Sequence, residues 1–282
     1  MISVPKPAKR RHRFLGTLLA AVMALSMALN AQAASVSDFG DVSSGAWYYD
    51  AVSFVADHGL FNGTSDSSFT PNGSMTRGMF ITVLGRYAGV DPDAWKAAVT
   101  SAEVNLRSGP GSDYDVIGTV SDGGSVTLTG RSGDWYKVEA SGQSGYISAD
   151  YVTPSYHHFT DVDYGSYFAG YAIWGYEAGI VSGMGSSDLF APERNVTREQ
   201  ICKLLYGYAN YAGIYLSSGS SVTFADQGSI SGWAVDGVDA MQATGIVQGE
   251  NRDDGVYFRP GSYATRAETA TIFRRLWLAS EA

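Results

Sequence analysis

Three arginines in this 282-residue chain stand in matching surroundings: Arg77, Arg198 and Arg266. Each follows a threonine (Thr76, Thr197, Thr265). Each threonine lies seven residues after the phenylalanine of a Phe-x-Pro triplet: Phe69-Thr70-Pro71, Phe190-Ala191-Pro192 and Phe258-Arg259-Pro260. A guanidinium fork meets a carboxylate with two parallel hydrogen bonds, so a repeated arginine is a means of catching an anion. Threonine is an N-cap by type, which puts the arginine at the first position of a helix. Free backbone N–H groups and the helix dipole there add to the attraction. A unit repeated three times duplicates one surface and points to binding before catalysis.

Other residues that could do chemistry fit structural roles. Cys202 invites a cysteine hydrolase with His157 or His158, but it sits next to Ile201 inside the helix that follows Arg198, where a packed thiol is expected. Asp161-Val162-Asp163-Tyr164-Gly165 and Asp253-Asp254-Gly255 look like calcium loops, yet lack the acidic positions such loops need and read as turns. No catalytic residue, metal site or cofactor is expected.

The arginines need elements to hold them. Each copy opens with Phe-x-Asp (Phe39-Gly40-Asp41, Phe159-Thr160-Asp161, Phe224-Ala225-Asp226), and the aspartates read as caps of a first helix. Aromatic residues follow, Trp47, Tyr167 and Trp233, and read as partly buried packing residues. The first helix ends in Gly-Leu or Gly-Ile. Gly63, Gly183 and Gly249 stand four residues beyond the first glycine and read as turn positions that need positive φ. The second helix starts at the threonine. Gln200 and Glu268 complete capping boxes, and Met79 in the first copy does not. Apolar residues then recur at helical spacing: Phe80, Val83, Leu84, Tyr87; Ile201, Leu204, Leu205, Tyr208; Ile272, Phe273, Leu276. One such helix pair cannot bury its own stripe, so the three must pack together.

Between the first two copies the pattern changes to period two, as in Val126-Thr127-Leu128-Thr129 and Trp135-Tyr136-Lys137-Val138. Gly-rich turns separate short strands, which predicts a small barrel. Trp135 reads as core, with a peptide groove as the alternative. The resulting division is a signal peptide (1–33), repeat 1 (38–90), a linker (91–101), the barrel (102–154), repeat 2 (155–213), a linker (214–222) and repeat 3 (223–282). The Ser-Ser-Gly-Ser-Ser run of Ser217–Ser221 makes the second linker flexible by composition.

Residues 1–33 combine a basic start (Lys6, Lys9, Arg10, Arg11, Arg13), an apolar run from Phe14 to Leu29, and Ala31-Gln32-Ala33 as a cleavage site. That is the pattern of a secretory signal peptide. Removing it takes five of the 19 basic residues and none of the 28 acidic ones, leaving 14 against 28, or −14. Nucleic acid is an unsuitable partner for such a surface. No membrane contact is expected after cleavage. One cysteine allows no intramolecular disulfide, so stability must come from packed cores.

The triplicated unit resembles the surface-layer homology (SLH) family through Phe-x-Asp, the Gly-Leu/Ile helix end, Phe-x-Pro and Thr265-Arg266-Ala267-Glu268. Thr197-Arg198-Glu199-Gln200 is a common variant, and Thr76-Arg77-Gly78-Met79 keeps only Thr-Arg. The insert resembles a bacterial Src-homology-3-like domain through Val104-Asn105-Leu106-Arg107-Ser108-Gly109-Pro110, Gly133-Asp134-Trp135-Tyr136-Lys137-Val138 and Gly145-Tyr146-Ile147. The resemblance implies a mixed α and β multidomain protein. Three mainly helical repeats would form a pseudo-threefold spindle, joined to a small all-β barrel.

It further implies grooves that bind a secondary cell-wall polysaccharide, often pyruvylated. Arg77, Arg198 and Arg266 would contact the polymer, aided by Trp47, Tyr167, Trp233 and the backbone at Gly63, Gly183 and Gly249. The expected protein is a secreted, non-enzymatic anchor at the bacterial cell surface, its barrel contacting peptidoglycan peptide. The alternative is a targeting or regulatory subunit for a separately encoded wall hydrolase. On this reading, replacing Arg198 and Arg266 by alanine weakens wall binding and leaves the fold intact. Deleting 102–153 leaves anchoring intact.

Overall fold

Each repeat contributes two helices to one shared core. The computed structural model describes residues 34–156, 158–185, 187–216 and 223–280. The expected signal peptide (1–33), His157 and the Ser217–Ser221 run lie outside them. Repeat 1 holds α1 (Tyr49–Asp57) and α2 (Arg77–Tyr87), repeat 2 holds α3 (Ala169–Glu177) and α4 (Arg198–Ala212), and repeat 3 holds α5 (Val235–Ala243) and α6 (Arg266–Ser280). The second helix of each repeat packs against the first helix of the next: α2 on α3, α4 on α5, and α6 back on α1. Aromatic rings join the second helices, with Tyr87 5.8 Å from Tyr208 and 5.6 Å from Phe273. All three periodic stripes are buried in one continuous cluster.

The caps form as their residue types dictate. Thr76 Oγ1 accepts from the Met79 N–H at 3.2 Å. Thr197–Gln200 and Thr265–Glu268 are reciprocal capping boxes. At the other end of the short first helices, Gly59, Gly179 and Gly245 take φ of 63°, 70° and 71° as left-handed C-terminal caps.

The aspartates of Phe-x-Asp do not cap helices, contrary to expectation. Asp161 accepts from the N–H groups of Phe190 and Ala191, both at 2.7 Å. Asp226 holds Phe258 and Arg259 in the same way, and Asp41 holds Phe69 and Thr70, with the Ser68 hydroxyl in addition. Burial works against the Asp41 charge, but these bonds win and keep its carboxyl below the usual range. The clasp has a task. Thr70, Ala191 and Arg259 all have positive φ, 55°, 55° and 59°. A non-glycine residue there stores about 1–3 kcal/mol of strain. Two charge-assisted bonds, each contributing about 1.5–3 kcal/mol, offset it.

The insert is a seven-stranded antiparallel sheet. Its strands are β1 (Ala97–Thr100), β2 (Val104–Arg107), β3 (Val116–Val120), β4 (Ser125–Ser132), β5 (Trp135–Ala140), β6 (Gln143–Ser148) and β7 (Val152–Pro154), in the order β3-β2-β6-β5-β4-β1-β7. The stretch 91–101 is therefore not a plain linker. Residues Asp93–Lys96 form a 3-10 turn, and β1 pairs with both β4 and β7. A four-residue Ala-Ala-Val-Thr strand is too short to show a period of two. In β5 the inward set is Tyr136, Val138 and Ala140; Trp135 is half-buried, so it is not the core residue expected.

The sheet's core also takes in Tyr164 and Ile173 from repeat 2. Tyr164 donates its hydroxyl to the Tyr156 carbonyl at 2.7 Å, and Trp95 packs against both cores. Asp253-Asp254-Gly255 belongs to the turn of a hairpin between β8 (Glu250–Arg252) and β9 (Gly255–Tyr257).

Candidate functional site

Each Thr-Arg arginine crosses into the following repeat. Arg77 of repeat 1 donates Nε to the Phe190 carbonyl of repeat 2 at 2.8 Å and Nη2 to Ser182 O at 3.4 Å. Arg198 of repeat 2 binds Phe258 O (2.8 Å) and Gln248 O (2.9 Å) of repeat 3. Arg266 of repeat 3 returns to repeat 1, on Phe69 O (2.6 Å) and Asn62 O (2.7 Å). Each guanidinium also lies over the phenylalanine whose carbonyl it binds, at 4.6–5.3 Å from the ring centre. Arg77 and Arg266 are 8% and 6% exposed. Burial pushes the Arg266 guanidinium down to about 10, still charged at neutral pH, and lowers Arg77 as well, with Arg194 adding to the effect.

The backbone follows the same order. Met75 N–H donates to Ala264 O, Ala264 N–H to Val196 O, and Val196 N–H to Met75 O, a closed triangle. The N–H of Arg77 goes to Arg194 O, that of Arg198 to Ser262 O and that of Arg266 to Gly73 O. The N–H one residue further on binds the proline carbonyl of the same neighbour: Gly78 to Pro192, Glu199 to Pro260, Ala267 to Pro71. With the third N–H capped by threonine, these helix ends offer no free donors to an anion, contrary to expectation. The arginines are clasps first. Alanine at Arg198 and Arg266 would strand four carbonyls, so that double variant does not leave the fold untouched.

What remains for a ligand is a cleft beside the clasps of Arg198 and of Arg266. One, of about 660 Å³, is lined by Arg198 of repeat 2, Gln248, Gly249, Glu268 and Arg275 of repeat 3, and Trp47 of repeat 1. The other, of about 410 Å³, is lined by Arg266 of repeat 3, Asn62, Gly63, Met79 and Arg86 of repeat 1, and Tyr167 of repeat 2. Each cleft thus joins an arginine, a glycine loop and an aromatic residue from three different repeats. Trp47, Tyr167 and Trp233 are 69%, 59% and 52% exposed, and Trp47 and Tyr167 each rest edge-on against the next residue's ring, Tyr48 and Phe168. Trp233 holds the equivalent place in repeat 3, and the Ser182 carbonyl bound by Arg77 adjoins Gly183.

Gly63, Gly183 and Gly249 do not have positive φ, which belongs instead to the helix-ending glycines. They are glycine for lack of room. A Cβ at Gly249 would meet Val256 at 2.5 Å and Phe224 at 2.8 Å. One at Gly63 would meet Phe39 at 2.7 Å, and one at Gly183 would collide with the Ser187 carbonyl.

Sequence reasoning missed Arg86 and Arg275, although both stand ten residues after the capping threonine; Gly207 holds that position in repeat 2. Cys202 is fully buried, its thiol pushed up to about 12 by desolvation, as the packed reading requires. Asp161 has both oxygens occupied, and Asp163 Oδ1 accepts from Gly165 N–H at 2.7 Å in a tight turn.

Comparison with known proteins agrees with this division. The S-layer homology domain model matches residues 38–79, 158–202 and 223–270, and the bacterial SH3 domain model matches 102–153. No catalytic domain is among the matches. An amylopullulanase of Thermoanaerobacterium thermosulfurigenes is 24% identical over 83% of this chain and 9% of its own length. Exoglucanase XynX of Acetivibrio thermocellus is 32% identical over 40% of this chain and 10% of its own. The surface-layer 125 kDa protein of Lysinibacillus sphaericus is 39% identical over 20% of this chain and 5% of its own. The chain spans a tenth or less of each. Among the described residues no helix is long and apolar enough to cross a membrane. The matched domains support cell-wall anchoring at the cell surface as a general role. The chain is built of three S-layer homology domains, with a bacterial SH3 domain set between the first and the second.

Proposed function

We propose that this is a secreted, non-catalytic anchor that holds a secondary cell-wall polysaccharide in the clefts between its repeats. In this reading the repeats form a pseudo-threefold spindle. The carrying observation is the composite cleft, where one repeat gives arginine, the next a glycine loop and the third an exposed aromatic face. Aromatic faces suit sugar rings, and glycine lets the chain's backbone approach them. Nη1 of Arg77 and of Arg266 has no hydrogen-bond partner among the described residues, since Nε and Nη2 serve the clasp. That leaves one guanidinium edge for an acidic sugar such as a pyruvate ketal. A single charge-assisted contact contributes only about 1.5–3 kcal/mol, and several clefts on one repeating polymer would supply avidity.

The barrel, docked on repeat 2 through Tyr164 and Ile173, is proposed to face peptidoglycan from a fixed position. Its deletion would bare those two side chains. Co-sedimentation with purified wall sacculi, before and after the secondary polymer is stripped, tests the anchor. Binding only to unstripped sacculi is expected, and equal binding to both would overturn it.

A further inference from the structure

The two clefts share a scaffold but not a charge. In the cleft of Arg198, the residue three beyond the capping threonine is Glu268, whose Oε1 lies 3.4 Å from Arg198 Nη1. Glu250 lines the same cleft and pairs with Arg259 at 2.8 Å, and Arg275 Nη2 donates to Gln248 Oε1 at 3.0 Å. Three guanidinium groups there are already engaged. In the cleft of Arg266, the position of Glu268 is taken by Met79, and no carboxylate lines the wall. Arg86 adds a second cation, held by Leu60 O at 3.1 Å and by Tyr171. Leu60, Phe61, Met75 and Val83 make much of the wall apolar, and Asn62, Thr64 and Thr82 add neutral polar groups. Asp41 also acts on Arg266, but its oxygens are filled by three donors. Glu193 acts on Tyr167 without lining the cleft.

We infer that, of these two clefts, the one between repeats 3 and 1 takes the carboxylate of an acidic sugar. Arg266 and Arg86 hold the carboxylate, and Met79 sets the preference by withholding the acid that Glu268 supplies elsewhere. This rests on the anchoring reading above. An arginine beside an apolar wall, with no acid to neutralise it, attracts an anion more strongly than one that must first leave a partner. The Thr-Arg-Gly-Met sequence, the least regular of the three, is then the one suited to a charged ligand.

The test is Met79→Glu in the full chain. Glutamate there completes the capping box with Thr76, so the melting temperature should hold or rise. Affinity for polysaccharide released from the producer's wall, measured by calorimetry, should fall about tenfold or more, the equivalent of one charge-assisted contact. Arg86→Gln should fall likewise. Glu268→Gln, which keeps a capping side chain as Gln200 does, should raise affinity by freeing Arg198. On polymer whose carboxyl groups have been chemically reduced, Met79→Glu should match the parent.

Parental affinity of Met79→Glu for native polymer overturns the assignment, as does an equal loss on reduced polymer. Should Met79→Glu fold poorly, parental affinity of Arg86→Gln overturns it. A parent that binds native and reduced polymer alike keeps the anchor and sinks this assignment. A parent that binds neither sinks both.

Discussion

The ring of repeats and the barrel both contain units of roughly 50 residues, and they reach stability by opposite routes. The barrel's own core residues run from Ala98 to Val152, and five of its six strand pairings join strands less than 50 residues apart. The ring closes only through distant partners: Arg266 binds Phe69 across 197 residues, and α6 packs on α1. No repeat owns a complete core, because each second helix is covered by the neighbour's first. Short units stabilised by neighbours behave as one cooperative body when the array closes on itself. The barrel is local but not independent, since two of its core side chains come from repeat 2.

The strongest challenge to that contrast is Phe273→Ala. Phe273 is fully buried on α6 and meets Phe61, Phe80 and Tyr87 of repeat 1. The expected cost is about 3–5 kcal/mol, read from chemical denaturation. Hydrogen exchange should show lost protection in α2 and α4 as well as α6. Loss confined to repeat 3 would mean the repeats are separable after all.

Asp161→Ala should come next, at about 3 kcal/mol. It removes two charge-assisted bonds and leaves Ala191 in its left-handed conformation without support. The double variant with Ala191→Gly, which relieves the strain, should recover part of the loss. No recovery would show that the aspartate acts on something other than the strained turn.

The parts of this structure that could be read from the sequence are the ones with a local cause. Thr76, Thr197 and Thr265 cap helices because the bond is three residues long, and period two in 126–138 makes strands whatever surrounds them. Asp161 looked like a cap because aspartate usually is one, and its true partners are 29 and 30 residues away. Gly63 and Gly249 are constrained positions by sequence pattern, but the constraint is crowding, by Ser65 and Phe39 at one and by Val256 and Phe224 at the other, and not the backbone angle. The arginines were found by their repetition. That their forks are spent on the neighbouring repeat's carbonyls depends on ring closure, which no local window contains. Arg86 and Arg275 carry no repeat signal, because the remaining copy has Gly207 at their position.

The smallest effect sharpens the other side of the contrast. Tyr164 reaches from repeat 2 into the barrel core, its ring 6.1 Å from that of Tyr136, and its buried hydroxyl donates to Tyr156 O. Desolvation raises the pKa of that hydroxyl, so it stays a donor throughout the neutral range. Tyr164→Phe keeps the ring and deletes the donor, at a cost of about 1 kcal/mol. If the barrel's stability is borrowed in part from repeat 2, exchange should speed up first in β5, which carries Tyr136 against Tyr164, and in its neighbour β4, with the ring's own protection unchanged. Unaltered exchange in the barrel would make the junction a mere contact. The barrel would then stand alone, and the difference between the two regions would be larger than their shared core implies.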